Sequence, residues 1–328
     1  MGLTELRMGV EAEKSRALKQ RTEVCSLAAI LSKAGCFVGI IFLGWFLRRV
    51  GFFKEGDFQV LAKIVLRITL PASIVYSFAG KEITVSMLFL CAIGLGLGVF
   101  YIAMGYLISH RGSKEEKAFS ILNISGYNIG NFTMPFAQGF LGPVGVISTS
   151  LFDTGNAFIC LGMSYSVAAM VLRGEKFSLK RILRDLLKSV PFVSYVVMTV
   201  LTLLHIRLPG TVTEFAGLLG NANAPMAMLM LGVGFKISGG GSQVRTIAKV
   251  LCVRYGLAVL IAAGCFFLLP LDVEIRKTLV LLSFAPIASA APAFTSELGG
   301  DAGLSSAINS LSIVISLICI VGILVFII

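Results

Sequence analysis

Charge is scarce in this chain. Only 14% of its 328 residues are Asp, Glu, Lys or Arg, whereas soluble domains average about 25%. Hydrophobic residues make up 56% instead, and long apolar runs recur along the sequence. Apolar stretches of about 18 or more residues with few charges are long enough to cross a bilayer as helices. The shortage of charge excludes a soluble globular protein and predicts an all-α integral membrane protein.

The sequence also lacks the motifs of several common chemistries. Its seven cysteines are scattered without a C-x-x-C pair, and the two histidines lie far apart, near span ends. No G-x-x-x-x-G-K-[ST] phosphate loop is present, which leaves ATP-driven transport without support. The net charge of +11 is distributed over short loops rather than an aromatic-interleaved basic patch, which argues against nucleic-acid binding. We expect no catalytic centre, no cofactor and no metal site.

Ten apolar spans are predicted, near residues 26–47, 58–79, 84–109, 118–141, 145–171, 189–205, 214–235, 247–269, 278–297 and 303–328. Residues 1–24 are polar and precede them, either as a native tail or as the product of a start assigned too far upstream. The spans fall into two groups of five, in residues 25–171 and 189–328. A basic linker, residues 172–188, joins the groups.

Similar landmarks recur in the two halves. Pro71 in LPASIV has a counterpart in Pro225 of NANAPMAMLM, and Pro135 in span four has one in Pro292 of span nine, at nearly the same separation. Five spans are an odd number, so the second half would sit inverted in the membrane. Inverted repeats with paired interrupted helices are typical of secondary transporters. The predicted fold is therefore ten transmembrane helices as two inverted five-helix repeats, with broken helices 4 and 9 crossing.

Lysine and arginine are distributed unevenly among the loops between spans. Loops after spans one, three, five and seven are rich in both, whereas the alternate loops hold Lys81, Arg207, Arg276 and Lys277. The positive-inside rule makes the basic loops cytoplasmic and places both termini outside, although the tail is itself basic. Inside the spans, Lys63, Arg67 and Arg254 are expected to extend toward the headgroups, with Arg67 the first candidate for an exception.

The stretch from Ser120 to Asn156 is the strongest candidate for a binding site. It carries amides, glycines and prolines within an apolar segment, and broken backbone at membrane depth persists only inside protein or beside a cavity. We expect the helix to open just before Pro135, so that a half-helix with free N–H groups attracts an anion. The predicted cradle contains Asn128, Asn131 and Pro135, with Pro286, Ser289 and Pro292 from span nine. Two ordinary proline kinks are the structural alternative.

Asp153 is the acidic residue that lies well inside a predicted span, so it must face the interior, pair, or take up a proton. Two readings stay open. Asp153 couples transport to a proton or cation, or it bonds to backbone N–H groups at the junction of spans four and five.

Three motifs, LPASIV, NIGNFTMP and NANAPMAMLMLGVGF, make the chain resemble the auxin efflux carrier family from about residue 30 onward. The resemblance implies a ten-helix carrier with scaffold helices 1, 2, 6 and 7, a transport domain of helices 3–5 and 8–10, and a homodimer formed through the scaffold. It implies that Asn128 helps to hold a carboxylate substrate. In the family a polar residue on the fifth helix also contributes to the site, and Asn156 is its nearest match here. The short basic linker resembles bacterial malonate-type permeases, which implies a multi-pass protein of the bacterial inner (plasma) membrane.

The leading hypothesis is an elevator-type secondary carrier of a small organic anion, a mono- or dicarboxylate. One alternative is a sodium-coupled carrier similar to bile acid symporters, for which only Asp153 and Glu297 offer ligands. Another is an intramembrane aspartyl protease that uses Asp153 and Asp301. The usual motif of such enzymes is G-x-G-D, and Leu298 stands here in place of its first glycine.

Overall fold

The computed structural model describes residues 28–54, 56–235 and 243–327, so the predicted tail lies outside the described residues. The regular structure of the described part is helical. Its helices are α1 (Ala28–Arg49), α2 (Asp57–Phe78), α3 (Phe89–Ile108), α4 (Lys114–Ile124), α5 (Met134–Phe140), α6 (Gly142–Arg173), α7 (Leu179–Lys188), α8 (Val190–Leu203), α9 (Gly210–Gly234), α10 (Val244–Phe267), α11 (Val273–Ser283), α12 (Ala291–Glu297) and α13 (Ala302–Ile327).

Seven of the described helices are long and apolar enough to cross a bilayer: α1, α2, α3, α6, α9, α10 and α13. The short helices α7 and α8 meet at a bend of 82° and together would make an eighth span. These findings confirm the predicted all-α, multi-span class. The total of ten spans and their inverted arrangement stay predictions.

Predicted spans four and nine are each divided into two short helices. Residues 125–128 are unwound and a π-helical turn, Ile129–Thr133, then leads into α5, whereas residues 284–290 separate α11 from α12. A capping box begins α4, since the Glu116 N–H donates to Ser113 Oγ and the Ser113 N–H donates back to the Glu116 carboxylate. Gly126, with φ +74, follows the end of α4 in a conformation that favours glycine.

The break in span four lies earlier than the sequence indicated. We expected it immediately before Pro135, but a π-helical turn already begins at Ile129 and runs to Thr133. Pro135 then falls in the first turn of α5, where its missing N–H is tolerated. In α2, Pro71 likewise follows a π-helical turn, Val65–Thr69. Each proline thus follows a π-helical turn and lies in the first turn of a regular α-helical segment.

Close helix packing surrounds the broken span. A Cβ placed on Gly94 of α3 or on Gly155 of α6 would overlap the backbone carbonyl of Phe152 or Cys91 on the opposite helix. Small residues of this kind let membrane helices approach at backbone distance. Gly94 and Gly155 thus allow close packing of α3 against α6. Helix α6 also contacts α5 and α11, so it backs both broken spans.

Candidate functional site

The two unwound segments touch each other. The Asn128 N–H donates to the Pro286 carbonyl over 2.8 Å. A Cβ on Gly126 would lie 2.9 Å from Ala288 Cβ and 3.0 Å from Cys160 Sγ, so a larger residue cannot be accommodated without movement. This contact brings together the two stretches that the sequence singled out, residues 120–156 and 286–296. We call this meeting point the crossover.

A cavity of about 450 Å³ opens beside the crossover. We call it the crossover cavity. Its wall includes backbone and side chains from both unwound segments and from α2, α6 and α8. The polar and charged residues that line it are Arg67, Tyr127, Asn128, Asn131, Asp153, Asn156, Asp185, Lys188, Ser189, Tyr195 and Ser289. The cavity is thus large enough for a small molecule and carries a few convergent polar groups, as ligand sites do.

Asn128 has the features of a ligand-binding side chain. It is buried at the start of the π-helical turn, and its backbone N–H is used in the crossover contact. Its side-chain amide lines the cavity and makes no hydrogen bond to any described residue. An amide buried at a helix N-terminus without a protein partner is available to a bound molecule.

Asn131 and Ser289 join the two segments by a hydrogen bond. The Asn131 amide N–H donates to Ser289 Oγ over 3.4 Å. The amide oxygen of Asn131 is buried and has no partner among the described residues. Both side chains line the crossover cavity and also a neighbouring cavity of about 450 Å³ that is lined by Pro292 and Asn309.

Asn156 is 1% exposed and is bonded to the protein at every polar atom. Its oxygen accepts the Tyr127 N–H at 3.0 Å, and its nitrogen donates to the Tyr127 carbonyl at 2.8 Å and to Asp153 Oδ1 at 2.9 Å. Both of its N–H groups are therefore occupied. The arrangement holds the unwound backbone beside the cavity rather than presenting a free amide to it.

Asp153 lies in the cavity wall, partly buried. Its Oδ1 accepts from Asn156 and its Oδ2 accepts from the Tyr195 hydroxyl at 3.0 Å. A Cβ on Gly130 would lie 3.7 Å from Oδ2, so the carboxyl lies next to the start of the helical backbone that follows the crossover. No basic side chain within the described ranges pairs with it. The helix terminus favours its negative charge.

The three predicted prolines occupy different places. The Pro286 carbonyl makes the crossover contact, and Pro292 lies in the first turn of α12 beside the neighbouring cavity. Pro135 is buried in α5 and lines neither of these two cavities. Pro286 and Pro292 thus contact the crossover region directly, whereas Pro135 acts on the helix that leads from it.

Arg254 was expected to reach the headgroups, and this was wrong. Its side chain is 0% exposed and donates to the carbonyls of Ile124 and Ala285, at the ends of the two half-helices α4 and α11. Apolar residues surround Arg254 along the sequence, so the sequence alone offers no sign of these partners. Arg67, the expected exception, is exposed at the cavity wall.

The acids proposed for the alternative functions do not come together. Asp301 is exposed at the start of α13, where Oδ1 accepts the Leu304 N–H at 2.8 Å, and it does not line the crossover cavity. Glu297 forms a 3.1 Å ion pair with Arg181. Neither lies beside Asp153 in the cavity, so the structure supports neither a paired-aspartate centre nor a carboxylate-rich cation site there.

Another cavity, of about 520 Å³, lies one turn further along α2 and is lined by Gln138. We call it the Gln138 cavity. The Gln138 amide donates to Ser73 Oγ and accepts from Asn223 at 3.2 Å, while Thr69 donates to Asn223 at 3.0 Å. Ser73 and Gln138 of this hydrogen-bonded chain line the Gln138 cavity, whereas Thr69 and Asn223 line neither it nor the crossover cavity.

Interrupted helices that touch at a polar cavity, within a chain of membrane-spanning helices, define the class of membrane transporters with broken helices. The comparisons with known proteins agree with this class. A sequence profile of the family described as "Membrane transport protein" matches residues 36–324, and the chain belongs to this family, the auxin efflux carrier family.

A curated relative supports the assignment at lower similarity. A protein described as an uncharacterized transporter of Methanocaldococcus jannaschii is 24% identical over 210 residues, which cover 59% of this chain. The matched region spans 65% of the length of that relative.

Proposed function

We propose that the protein is a secondary carrier of a small organic anion, a mono- or dicarboxylate, which it binds in the crossover cavity. One observation carries this proposal: the unwound segments leave the Asn128 side-chain amide and the Asn131 amide oxygen without protein partners beside a polar cavity. The helical backbone that starts at Ile129 begins at the wall of that cavity, and a helix N-terminus attracts an anion through its N–H groups and its dipole. Exposed Arg67 and Lys188 at the cavity wall add positive charge.

The carrier works as an elevator in this proposal. Helices α1, α2, α8 and α9 form the scaffold, and α3–α6 with α10–α13 form the transport domain. The two halves are the repeats 25–171 and 189–328, joined by the linker 172–188, much of which forms α7. Membrane insertion follows the positive-inside rule, with the basic loops cytoplasmic and both termini outside the bacterial inner membrane. A homodimer through the scaffold holds that part still while the transport domain moves.

Asp153 carries a proton with the anion. The carboxyl lies in the wall of the same cavity, between Asn156 and Tyr195, and has no cationic partner in the described part of the chain. Two negative groups in one cavity repel each other. Proton uptake by Asp153 when the anion enters removes this repulsion, so that anion and proton cross together.

Transport into proteoliposomes tests the proposal. Radiolabelled acetate, malonate and succinate are offered to the purified protein, and uptake of at least one is expected. Asn128→Ala should reduce that uptake at least tenfold, because a hydrogen bond to a charged group contributes about 1.5–3 kcal/mol. Asn221→Ala, an exposed asparagine of the Gln138 cavity, is the matched control and should transport normally.

Three results would contradict parts of the proposal. Uptake of none of the three acids argues against an organic anion carrier. Unchanged uptake by Asn128→Ala removes Asn128 from the site. Uptake that requires a sodium gradient and persists without a proton gradient favours the sodium-coupled alternative.

A further inference from the structure

Arg254 of α10 is the largest fully buried side chain in the described part of the chain. Its Nη1 donates to the Ile124 carbonyl at 3.0 Å and its Nη2 donates to the Ala285 carbonyl at 3.2 Å. No carboxylate of the described residues lies within ion-pair distance of the guanidinium. A buried charge without a countercharge costs several kcal/mol, and its presence therefore points to a role that requires the charge.

The two carbonyls belong to the ends of two different half-helices. Ile124 is the last residue of α4, and Ala285 lies just past the end of α11. Helix C-termini carry partial negative charge and unpaired carbonyls. One planar guanidinium with several donors can serve both ends at once, which a single ammonium does less well.

Aromatic rings complete the surroundings of Arg254. The guanidinium carbon lies 4.1 Å from the ring centroid of Tyr101 and 4.2 Å from that of Tyr127. The Tyr101 hydroxyl donates to the Arg254 carbonyl at 3.2 Å. Since Tyr127 lies in the unwound segment directly before Asn128, its ring links the cation to the backbone of the crossover.

We propose that Arg254 is a positioning residue for the anion site. Its guanidinium holds the two unwound segments against each other, and its charge neutralises the negative helix ends behind the crossover. The positive N-terminal end of the helical stretch Ile129–Phe140 is then left to act on the cavity, which makes the cavity select an anion. This inference rests on the proposed function, since it assumes that an anion binds at the crossover.

Calorimetric titration of the detergent-purified full chain tests the role of the charge. The probe is whichever of acetate, malonate and succinate binds the wild-type protein most tightly. Arg254→Gln should weaken binding roughly tenfold to a hundredfold, since it removes charge-assisted hydrogen bonds. Arg254→Lys keeps the charge but not the grip on both carbonyls, and should recover part of that loss.

Arg276→Gln is the matched control. Arg276 also donates to a main-chain carbonyl, that of Phe266 at 3.0 Å, and lies 5.6 Å from the Phe266 ring centroid. It lies at the other end of α11 from the crossover, so its replacement should leave anion affinity unchanged. Wild-type affinity in folded Arg254→Gln overturns the proposal, as does a loss that Arg254→Lys fails to reduce. If the wild-type protein binds none of the three acids, the proposed function fails instead.

Hydrogen exchange supplies a second measurement for the case that Arg254→Gln does not fold. In Arg254→Lys, which loses the two-ended grip but keeps the charge, amide exchange should accelerate in residues 125–128 and 284–290 together. Exchange within α13 should stay at its wild-type rate. Wild-type exchange in both unwound segments would show that the guanidinium does not hold them and would overturn the proposal.

Discussion

At the scale of single residues, Asn156 shows how a side chain can support an unwound backbone. Its amide replaces the intrahelical partners that Tyr127 lacks, through bonds to both the N–H and the carbonyl. Each buried backbone group left unpaired costs about 1–3 kcal/mol. Asn156 therefore stabilises the backbone of the site and has no free N–H group to offer a ligand.

Replacement of Asn156 should weaken both stability and binding. In Asn156→Ala, two buried groups of Tyr127 lose their partner, so we expect a clear fall in the thermal unfolding temperature in detergent and weaker binding of the anion probe. Thr154→Ala removes a hydroxyl that bonds only within its own helix, to the Ser150 carbonyl at 2.8 Å, and should have little effect. Equal effects of the two substitutions would remove the special role of Asn156.

Asp153→Asn separates the charge of this residue from its shape. The amide can still bond to Tyr195 and Asn156, but it cannot take up a proton. We expect anion uptake to continue while the accompanying proton movement, followed with a pH indicator inside the liposomes, is lost. Tyr195→Phe, which keeps the carboxyl, should retain proton movement. Proton uptake by Asp153→Asn would assign the coupling to a different group.

At the scale of elements, the crossover depends on a glycine rather than on the prolines that first attract attention. Gly126 combines a left-handed backbone, φ +74, with close contact to Ala288. Gly142 also has positive φ, +63, but a Cβ there meets nothing within 4 Å. A comparison of Gly126 with Gly142 therefore separates the effect of the contact with Ala288 from the effect of backbone strain.

Gly126→Ala should therefore be more harmful than Gly142→Ala. Both substitutions carry backbone strain of about 1–2 kcal/mol, but only the first also pushes the two unwound segments apart. We expect loss of anion binding in Gly126→Ala and normal binding in Gly142→Ala, measured by the same titration. Normal binding by both variants would show that the crossover tolerates a wider separation.

Helix α7 has a buried face and an exposed face. Leu186 is buried and Leu187 is exposed at the next position. Leu186→Ala should lower the free energy of unfolding by about 2–5 kcal/mol, because it leaves a hole in the packing under the helix. Leu187→Ala should stay within about 0.5 kcal/mol of wild type. Denaturant titration in detergent measures both, and similar losses would contradict the placement of α7.

At the scale of the whole molecule, Gln138 connects the part that moves in the elevator proposal to the part that stays still. It lies on α5 of the proposed transport domain and bonds to Ser73 and Asn223 of the proposed scaffold. Thr69 and Asn223 both belong to the proposed scaffold and are bonded to each other at 3.0 Å. A crosslink between Gln138 and Ser73 should stop the elevator motion. A crosslink between Thr69 and Asn223 should not.

Cysteine pairs bridged by mercury test this motion. In a background whose native cysteines are replaced, Gln138→Cys with Ser73→Cys should lose transport when Hg²⁺ is added and regain it with excess thiol. Thr69→Cys with Asn223→Cys should transport with or without Hg²⁺. Inhibition of both pairs alike would contradict the assignment of these helices to separate moving parts.

The sequence by itself determined the membrane class, most of the span positions and the two stretches that meet. These follow from local properties: apolar length, the scarcity of charge, and amides and prolines at depths where lipid excludes them. Asn128, Asn131 and Ser289 were identified for that reason, and the structure brings them to one cavity.

Only the tertiary structure decided how the crossover is held. The residues that hold it act through partners far away in the chain. Arg254 binds the carbonyls of Ile124 and Ala285. Tyr195 donates to Asp153, and Gly126 packs against Ala288. A buried arginine and a snorkelling one have the same local sequence, because the difference lies in which carbonyls the fold brings to it. The break before Ile129 likewise depends on the opposite segment, whose Pro286 carbonyl takes the hydrogen bond of Asn128.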